Sequence, residues 1–99
     1  MHWILRYATA PDYLERRAAF RDAHLTLAWQ SVDKGELLLG GAVGDPPESA
    51  LLLFASEAAA RAFAEADPYV ANGLVVRWDV LPWNTVVGAQ AANPVRPAA

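Results

Sequence analysis

The order of strand-like and helix-like segments is the feature that most limits how this chain can fold. Two segments with helical apolar spacing each lie between short segments rich in branched and aromatic residues. The resulting order is βαββαβ, the split-βαβ arrangement of ferredoxin-like proteins. Right-handed crossovers in this order place both helices on one face of a four-stranded antiparallel sheet. We therefore predict a ferredoxin-like α+β fold.

Four segments have the composition of strands, because branched, aliphatic and aromatic residues dominate them and turn residues bound them. The loop GDPPES separates the second from the third, which predicts a hairpin. Pro82 is expected to close the fourth. The predicted strands are residues 2–8, 36–43, 50–55 and 74–83.

A long helix is predicted over residues 11–34, with Thr9 or Asp12 as its cap and Gly35 as its end. A second helix is predicted over residues 57–66, and Ser56 is expected to cap it. Apolar residues recur at three- and four-residue steps along the first helix, which predicts its buried face. The residues of that face are Leu14, Ala18, Leu25, Ala28, Trp29 and Val32.

The apolar runs at residues 37–39 and 51–54 do not alternate with polar residues. A sheet with helices on one face and water on the other should alternate, so both faces of these strands are expected to be covered. The two helices can cover only one face of the sheet. The simplest way to cover the other face is a second copy of the sheet, which predicts a homodimer packed sheet to sheet. A tail folded back over the sheet is the alternative.

The length of 99 residues predicts one domain, which we place at residues 1–85, followed by a Pro/Ala-rich tail at residues 86–99. A net charge of −3 argues against nucleic acid or an anionic membrane as the partner. Cysteine is absent and only two histidines occur, so no thiolate chemistry or zinc–sulfur site is expected. The N-terminal residues do not resemble a signal peptide, and no apolar run approaches the ~20 residues of a membrane span. A soluble cytoplasmic protein is the simplest expectation.

One face of the predicted first helix carries Arg17, Arg21 and His24 within a sector of about 60°. An imidazole exchanges protons near neutral pH, and a guanidinium group binds anions. These residues therefore suggest a catalytic base beside an anion-binding site. A solvated charged face with a half-buried histidine explains the same spacing.

The tripeptide Asp67–Tyr69 follows the second helix. A carboxylate fixes the tautomer of an imidazole and stabilises its protonated form, so Asp67 is a candidate partner for His24. A capping role for a turn beginning at Pro68 is the alternative, and the two roles are compatible. Elsewhere, Arg6 and Asp79 lie on neighbouring strands and are expected to pair. Tyr7 and the tryptophans are expected to be core or interface residues.

Several motifs together resemble the YciI-like family of the dimeric α+β barrel superfamily. The matching segments are LERR from Leu14, FRDAHL from Phe20, GELLLGGAV from Gly35, DPYVANGLV from Asp67 and VLPW from Val80. They span about residues 1–85. The chain departs from the family pattern at Gly40-Gly41-Ala42 and at Glu48-Ser49, and its tail is longer.

The resemblance implies a dimer with a suspected active site in which His24 and Asp67 are catalytic. Arg21, Arg17 and Tyr69 are then assigned to substrate binding. Relatives include a dehydrochlorinase of a chlorinated hydroxyquinol. The leading hypothesis is a cofactor-independent enzyme that transfers protons on a small cyclic or hydroxyaromatic metabolite. A non-catalytic metabolite-binding or accessory dimer is the second hypothesis, and a cofactor-free oxygenase, by superfamily analogy, is the third.

Overall fold

A computed structural model describes residues 1–98 and has the predicted order of strands and helices. One short additional helix, α3, occupies the predicted turn after Asp67. No helix within residues 1–98 is long and apolar enough to cross a membrane. The elements are β1 (His2–Thr9), α1 (Tyr13–Asp33), β2 (Leu37–Val43), β3 (Ser49–Phe54), α2 (Glu57–Ala66), α3 (Pro68–Ala71) and β4 (Val75–Trp83).

The four strands form one antiparallel sheet in the order β2-β3-β1-β4, which confirms the ferredoxin-like prediction. The central strand β1 pairs with both β3 and β4. β4 ends at Trp83, the last residue of the predicted strand, and its pairing continues through Pro82 to Trp83 opposite His2. A proline is tolerated there because β4 lies at an edge of the sheet, where some backbone N–H groups need no partner.

The hydrophobic core lies between the sheet and the helices. Alternate residues of β1 and β3 point into it, as the two-residue period of a strand requires. Small residues of α2 allow that helix to approach the sheet closely, and Phe63 packs against Phe54 with ring centroids 5.5 Å apart. The main core residues are Leu5, Tyr7, Leu52, Phe54, Ala60, Phe63, Ala64, Tyr69 and Leu74.

The predicted buried face of α1 is wrong in part. Trp29, which was expected in the core or at an interface, is 64% exposed and so is not part of the core. Apolar side chains surround most of this helix, so the helical period alone permits more than one buried face. The exposed residues of the predicted face are Leu14, Ala18, Leu25 and Trp29. The residues that do pack against or within the core are Tyr13, Phe20, Leu27, Ala28 and Val32.

The predicted caps have mixed outcomes. Ser56 caps α2, since its side chain accepts a hydrogen bond from the N–H of Ala59 at 3.1 Å. Gly35 has a φ of 75°, the left-handed conformation expected after α1. Neither candidate for the start of α1 caps it: Asp12 makes no side-chain capping bond, and the Thr9 hydroxyl instead donates to the carbonyl of Glu48.

The sheet face opposite the helices, which we call the outer face, is largely apolar. Leu39 is 69% exposed, Leu51 41% and Trp83 48%. The same face carries the predicted pair of Arg6 and Asp79, which lie opposite each other in the β1–β4 register. Arg6 donates two hydrogen bonds to Asp79, at 3.0 Å and 2.6 Å.

Residues 84–98 contain no helix or strand, but hydrogen bonds give them a defined path. The N–H of Val95 donates to the carbonyl of Val86 at 2.8 Å, which closes a loop. Just before this loop, the buried hydroxyl of Thr85 lies 2.8 Å from Nδ1 of His2. The segment is therefore joined to the start of β1. The last residue of the predicted tail, Ala99, lies outside the described residues.

Candidate active site

His24 and Asp67 come from different parts of the fold and lie in direct contact. His24 projects from the middle of α1, while Asp67 occupies the single residue between α2 and α3. Nδ1 of His24 is 2.8 Å from Oδ1 of Asp67. The contact brings together two residues that are 43 positions apart in the sequence.

The carboxylate of Asp67 is fully buried and is bound by three donors. Oδ1 accepts the backbone N–H of Tyr69 at 3.0 Å as well as His24, and Oδ2 accepts the hydroxyl of Tyr7 at 2.7 Å. Hydrogen bonds to the charged form offset the loss of water around a buried carboxylate. Asp67 thus caps α3 and contacts the imidazole at once, so the capping bond does not exclude the contact with His24.

The contact with Asp67 fixes the tautomer of His24. An ionised carboxylate only accepts hydrogen bonds, so Nδ1 must carry the hydrogen in the neutral ring. The lone pair then belongs to Nε2, for which residues 1–98 provide no hydrogen-bond partner. Because the side chain of His24 is 15% exposed and borders a cavity, Nε2 is the nitrogen available to a bound molecule.

Tyr69 holds the imidazole from one side. Its ring is stacked on that of His24, with centroids 3.9 Å apart and planes within 5°. Phe63 meets the same imidazole edge-on at 6.1 Å. The imidazole is therefore confined by two aromatic rings and one carboxylate.

Burial raises the pKa of the Tyr69 hydroxyl, while the positive charges of Arg21 and Arg17 act in the opposite direction.

A cavity of about 330 Å³ opens beside His24, between α1 and the strands β2 and β3. Arg17, Arg21, His24 and Tyr69 all line it, so four of the five predicted site residues share one space. Asp67 does not line the cavity and lies behind the imidazole. The apolar and backbone part of the lining comes from Leu25, Ala28, Trp29, Val32, Leu37, Leu38, Leu39, Gly40, Gly41, Ala42, Ala50 and Leu52.

Tyr7 is the site residue that the sequence analysis missed. It was expected to be a core or interface aromatic, and its ring is indeed buried, but its hydroxyl binds Asp67. Burial first, and then the negative charge of Asp67, raise the pKa of Tyr7. The available signal was its place in β1: a tyrosine on the core face must find a partner for its hydroxyl.

Known proteins resemble this chain in sequence and in fold. The model of the YCII-related domain matches residues 1–84. Protein YciI of Escherichia coli O6:H1 and protein YciI of Shigella flexneri are each 33% identical over 97 residues, covering 87% of this chain and 99% of the relative.

A solved structure shares the fold. It is 5-chloro-2-hydroxyhydroquinone dehydrochlorinase (TftG) from Burkholderia phenoliruptrix, in complex with 2,5-dihydroxybenzoquinone. The TM-score is 0.69 at 22% identity, covering 86% of this chain and 95% of the dehydrochlorinase. The likeness shows a shared fold, while the family match and the two YciI relatives lead to one conclusion: the chain belongs to the YCII-related (YciI-like) family.

Proposed function

We propose that this protein is a cofactor-independent enzyme that transfers protons on a small cyclic or hydroxyaromatic metabolite. The observation that carries the proposal is the 2.8 Å contact between His24 and the buried Asp67 at the edge of a cavity. A buried acid that fixes an imidazole tautomer is the arrangement that general acid–base catalysis uses.

In the proposed mechanism, Nε2 of His24 removes a proton from the bound substrate and later returns one. The imidazolium formed in between is stabilised by the negative charge of Asp67 through Nδ1. Tyr7 and the N–H of Tyr69 keep that carboxylate in place. Positioned acid–base catalysis of this kind contributes typically ~10²–10⁴-fold to the rate.

Arg21 is proposed to stabilise the negative charge that develops on the substrate. It lies one helical turn before His24 and lines the same cavity. A guanidinium group facing a developing enolate or phenolate lowers the barrier, because its charge is already in place before the reaction. Arg17 and Tyr69 are proposed to hold the rest of the molecule.

The dehydrochlorinase with the same fold suggests a reaction type for this site. Its complex contains a hydroxylated quinone ring. In an elimination of that kind, the base takes a proton, the electron pair of the broken bond forms a new double bond, and chloride leaves with the electrons of its bond to carbon. An isomerase would follow the same first step and return the proton to another atom.

The test is turnover of a panel of chlorinated hydroquinones, hydroxybenzoquinones and lactones, followed by ultraviolet absorbance and chloride release. Replacing His24 with alanine is expected to lower kcat/KM by ~10²–10⁴-fold on any compound that the wild type converts. His2→Gln, at the other histidine, serves as the control and should retain activity. A His24→Ala variant with wild-type turnover would refute the mechanism.

Ligand binding without turnover is the alternative, since the same cavity would hold a metabolite in a non-catalytic module. Thermal shifts with the same panel separate the two functions. A bound ligand at ~100 times its Kd raises the stability by about 2.7 kcal/mol. Compounds that stabilise the protein but are never converted would favour the binding module.

We also propose that two copies associate through the outer face of the sheet. The exposed Leu39, Leu51 and Trp83 form an apolar surface there, and burying such area is the main driving force of association. Leu51→Asp should convert the dimer to a monomer in sedimentation experiments. Val87→Asp, an equally apolar position in the tail that is 84% exposed, is the control and should leave the dimer intact.

A further inference from the structure

We propose that the cavity selects ring compounds that carry a carboxylate, and that Arg17 binds this carboxylate while His24 acts on another side of the ring. The inference rests on the proposed function, because it concerns the same cavity. It adds the chemical class of the substrate and assigns the two arginines different tasks.

The charge of the cavity lining is the first observation. The chain has 11 acidic and 8 basic residues, yet the residues that line the cavity include Arg17, Arg21 and His24 and no carboxylate. Neither arginine forms an ion pair within residues 1–98, whereas other arginines do. Those ion-paired arginines are Arg6, Arg16 and Arg61. A guanidinium group that lacks an anionic partner and faces a partly enclosed cavity is suited to a bound anion.

The spacing along α1 separates the two tasks. Arg21 is one turn from His24, ~4.5 Å along the helix axis, so it is the arginine near the reacting atoms. Arg17 is two turns from His24 on nearly the same side of the helix, ~10 Å along the axis. An ionised substituent held by Arg17 therefore lies away from the atom that exchanges a proton with Nε2.

Aromatic packing fixes the position of Arg17 relative to His24. The guanidinium carbon of Arg17 lies 5.7 Å from the centre of the buried Tyr13 ring, within cation–π range. Tyr13 meets Tyr69 edge-on at 5.9 Å, and Tyr69 stacks on His24 at 3.9 Å. Two packed rings thus connect the anion-binding group to the base. Such preorganisation reduces the entropy that is lost when a ligand binds.

The opposite wall supplies the surface for the ring itself. It is formed by β2 and β3, whose contributions include Leu37, Leu52 and the two glycines of β2. A Cβ atom added at Gly40 would lie 3.2 Å from Cγ of Leu52, so glycine allows the leucine to lie against the strand and leaves the wall flat. Apolar walls with a few placed polar groups are typical of sites for small ring compounds.

The experiment compares three ligands that differ in one substituent: 2,5-dihydroxybenzoate, 2,5-dihydroxybenzamide and hydroquinone. Affinities are measured by calorimetry at neutral pH for the wild type, Arg17→Gln, Arg21→Gln and Arg61→Gln. The last is the matched control, because Arg61 is an arginine of α2 that pairs with Glu57 outside the cavity.

The wild type is expected to bind the benzoate ~10–100-fold more tightly than the benzamide, the range of a charge-assisted hydrogen-bonded pair. Arg17→Gln should abolish that preference and leave the affinity for the benzamide within a factor of about two. Arg61→Gln should retain the preference. Any of three results would overturn the inference. They are equal affinities of the wild type for the benzoate and the benzamide, no binding of any of the three compounds, and a preference for the benzoate that survives Arg17→Gln but not Arg21→Gln.

The outcome is independent of the catalytic proposal, because the measurement requires binding and no turnover. Loss of activity in His24→Ala together with no carboxylate preference would retain the catalytic function and reject this substrate class. A carboxylate preference that depends on Arg17, in a protein that converts nothing, would retain the ligand class and reject the catalytic function.

Discussion

Arg6 and Tyr7 are consecutive residues of β1, and each binds a carboxylate on a different face of the sheet. Arg6 binds Asp79 on the outer face, where both side chains are about half exposed. Tyr7 binds Asp67 on the helix-covered face, where the carboxylate is inaccessible to water. Because side chains alternate along a strand, one residue step separates a surface contact from a buried polar site.

The two contacts are expected to differ in their effect on stability. Water solvates the outer pair and salt screens it, so its contribution is small even though its geometry is bidentate. Asp67 has no water to replace a lost donor, and its three hydrogen bonds support one another. Hydrogen-bond geometry alone therefore does not show which carboxylate contributes more to stability, whereas burial does.

The largest expected effect follows from removing the buried acid. Asp67→Ala leaves the hydroxyl of Tyr7 and the N–H groups of His24 and Tyr69 without their acceptor, and should lower the free energy of unfolding by roughly 3–5 kcal/mol. Urea denaturation measures the loss. Asp67→Asn keeps the volume and one acceptor oxygen, so it should cost less. An Asp67→Ala variant that unfolds at the wild-type urea concentration would contradict this ranking.

A smaller loss is expected from Tyr7→Phe, which removes one donor and keeps the ring. The buried carboxylate then has an unsatisfied oxygen, and the free energy of unfolding should fall by about 1–3 kcal/mol. Trp78→Phe, on the neighbouring strand opposite Tyr7, is a control for altered ring packing. If Tyr7→Phe were as stable as the wild type, the hydroxyl would have no part in holding Asp67.

The raised pKa of Tyr7 also leads to a prediction of how stability changes with pH in the alkaline range. The pKa of Tyr7 lies above its ordinary value of 10.0 in the folded protein, and that of Tyr69 is also raised. In the unfolded chain both ionise near their ordinary values, so the folded protein holds more protons above about pH 10. Stability is therefore full below pH 10 and falls as the pH rises further.

Urea midpoints between pH 8 and pH 11 test this dependence. Tyr7 contributes a slope of at most ~1.4 kcal/mol per pH unit, and Tyr7→Phe should remove that contribution. An identical alkaline slope in the variant would show that Tyr7 ionises as easily in the folded protein as in the unfolded chain.

The smallest effect is expected on the outer face. If the proposed interface is correct, the Leu51→Asp variant is a monomer. In that monomer Arg6→Gln should change the urea midpoint only slightly, and the change should be smaller still at high salt. A large shift in that monomer would contradict the distinction between the two faces. A larger shift in the dimer than in the monomer would support the proposed contact through this face.

Local signals in the sequence predicted the elements well. Ser56 and Gly35 mark helix boundaries through their own side-chain and backbone properties, so no tertiary information was needed. The tripeptide at Asp67 and the spacing of Arg21 and His24, together with the family resemblance, led to residues that lie close together in the structure: His24 contacts Asp67, and Arg21 and Tyr69 line the same cavity as His24.

Features that depend on tertiary packing were harder to predict from the sequence. The buried side of α1 was assigned partly wrongly because apolar residues occur around the helix, and only the sheet decides which of them are covered. The role of Tyr7 was missed because a core tyrosine in a strand has the same local sequence whether or not its hydroxyl meets a carboxylate. The path of residues 84–98 depends on a long-range contact between Thr85 and His2.

The position of Asp67 between two helices has a consequence for the design of variants that test the proposed mechanism. One side chain both turns the backbone and orients the ring above it, so replacing the acid tests folding and chemistry together. Serine in its place would still suit the turn but would leave the imidazole unsupported. The histidine is therefore the residue to exchange when the proposed catalytic role is to be tested without disturbing the turn at Asp67.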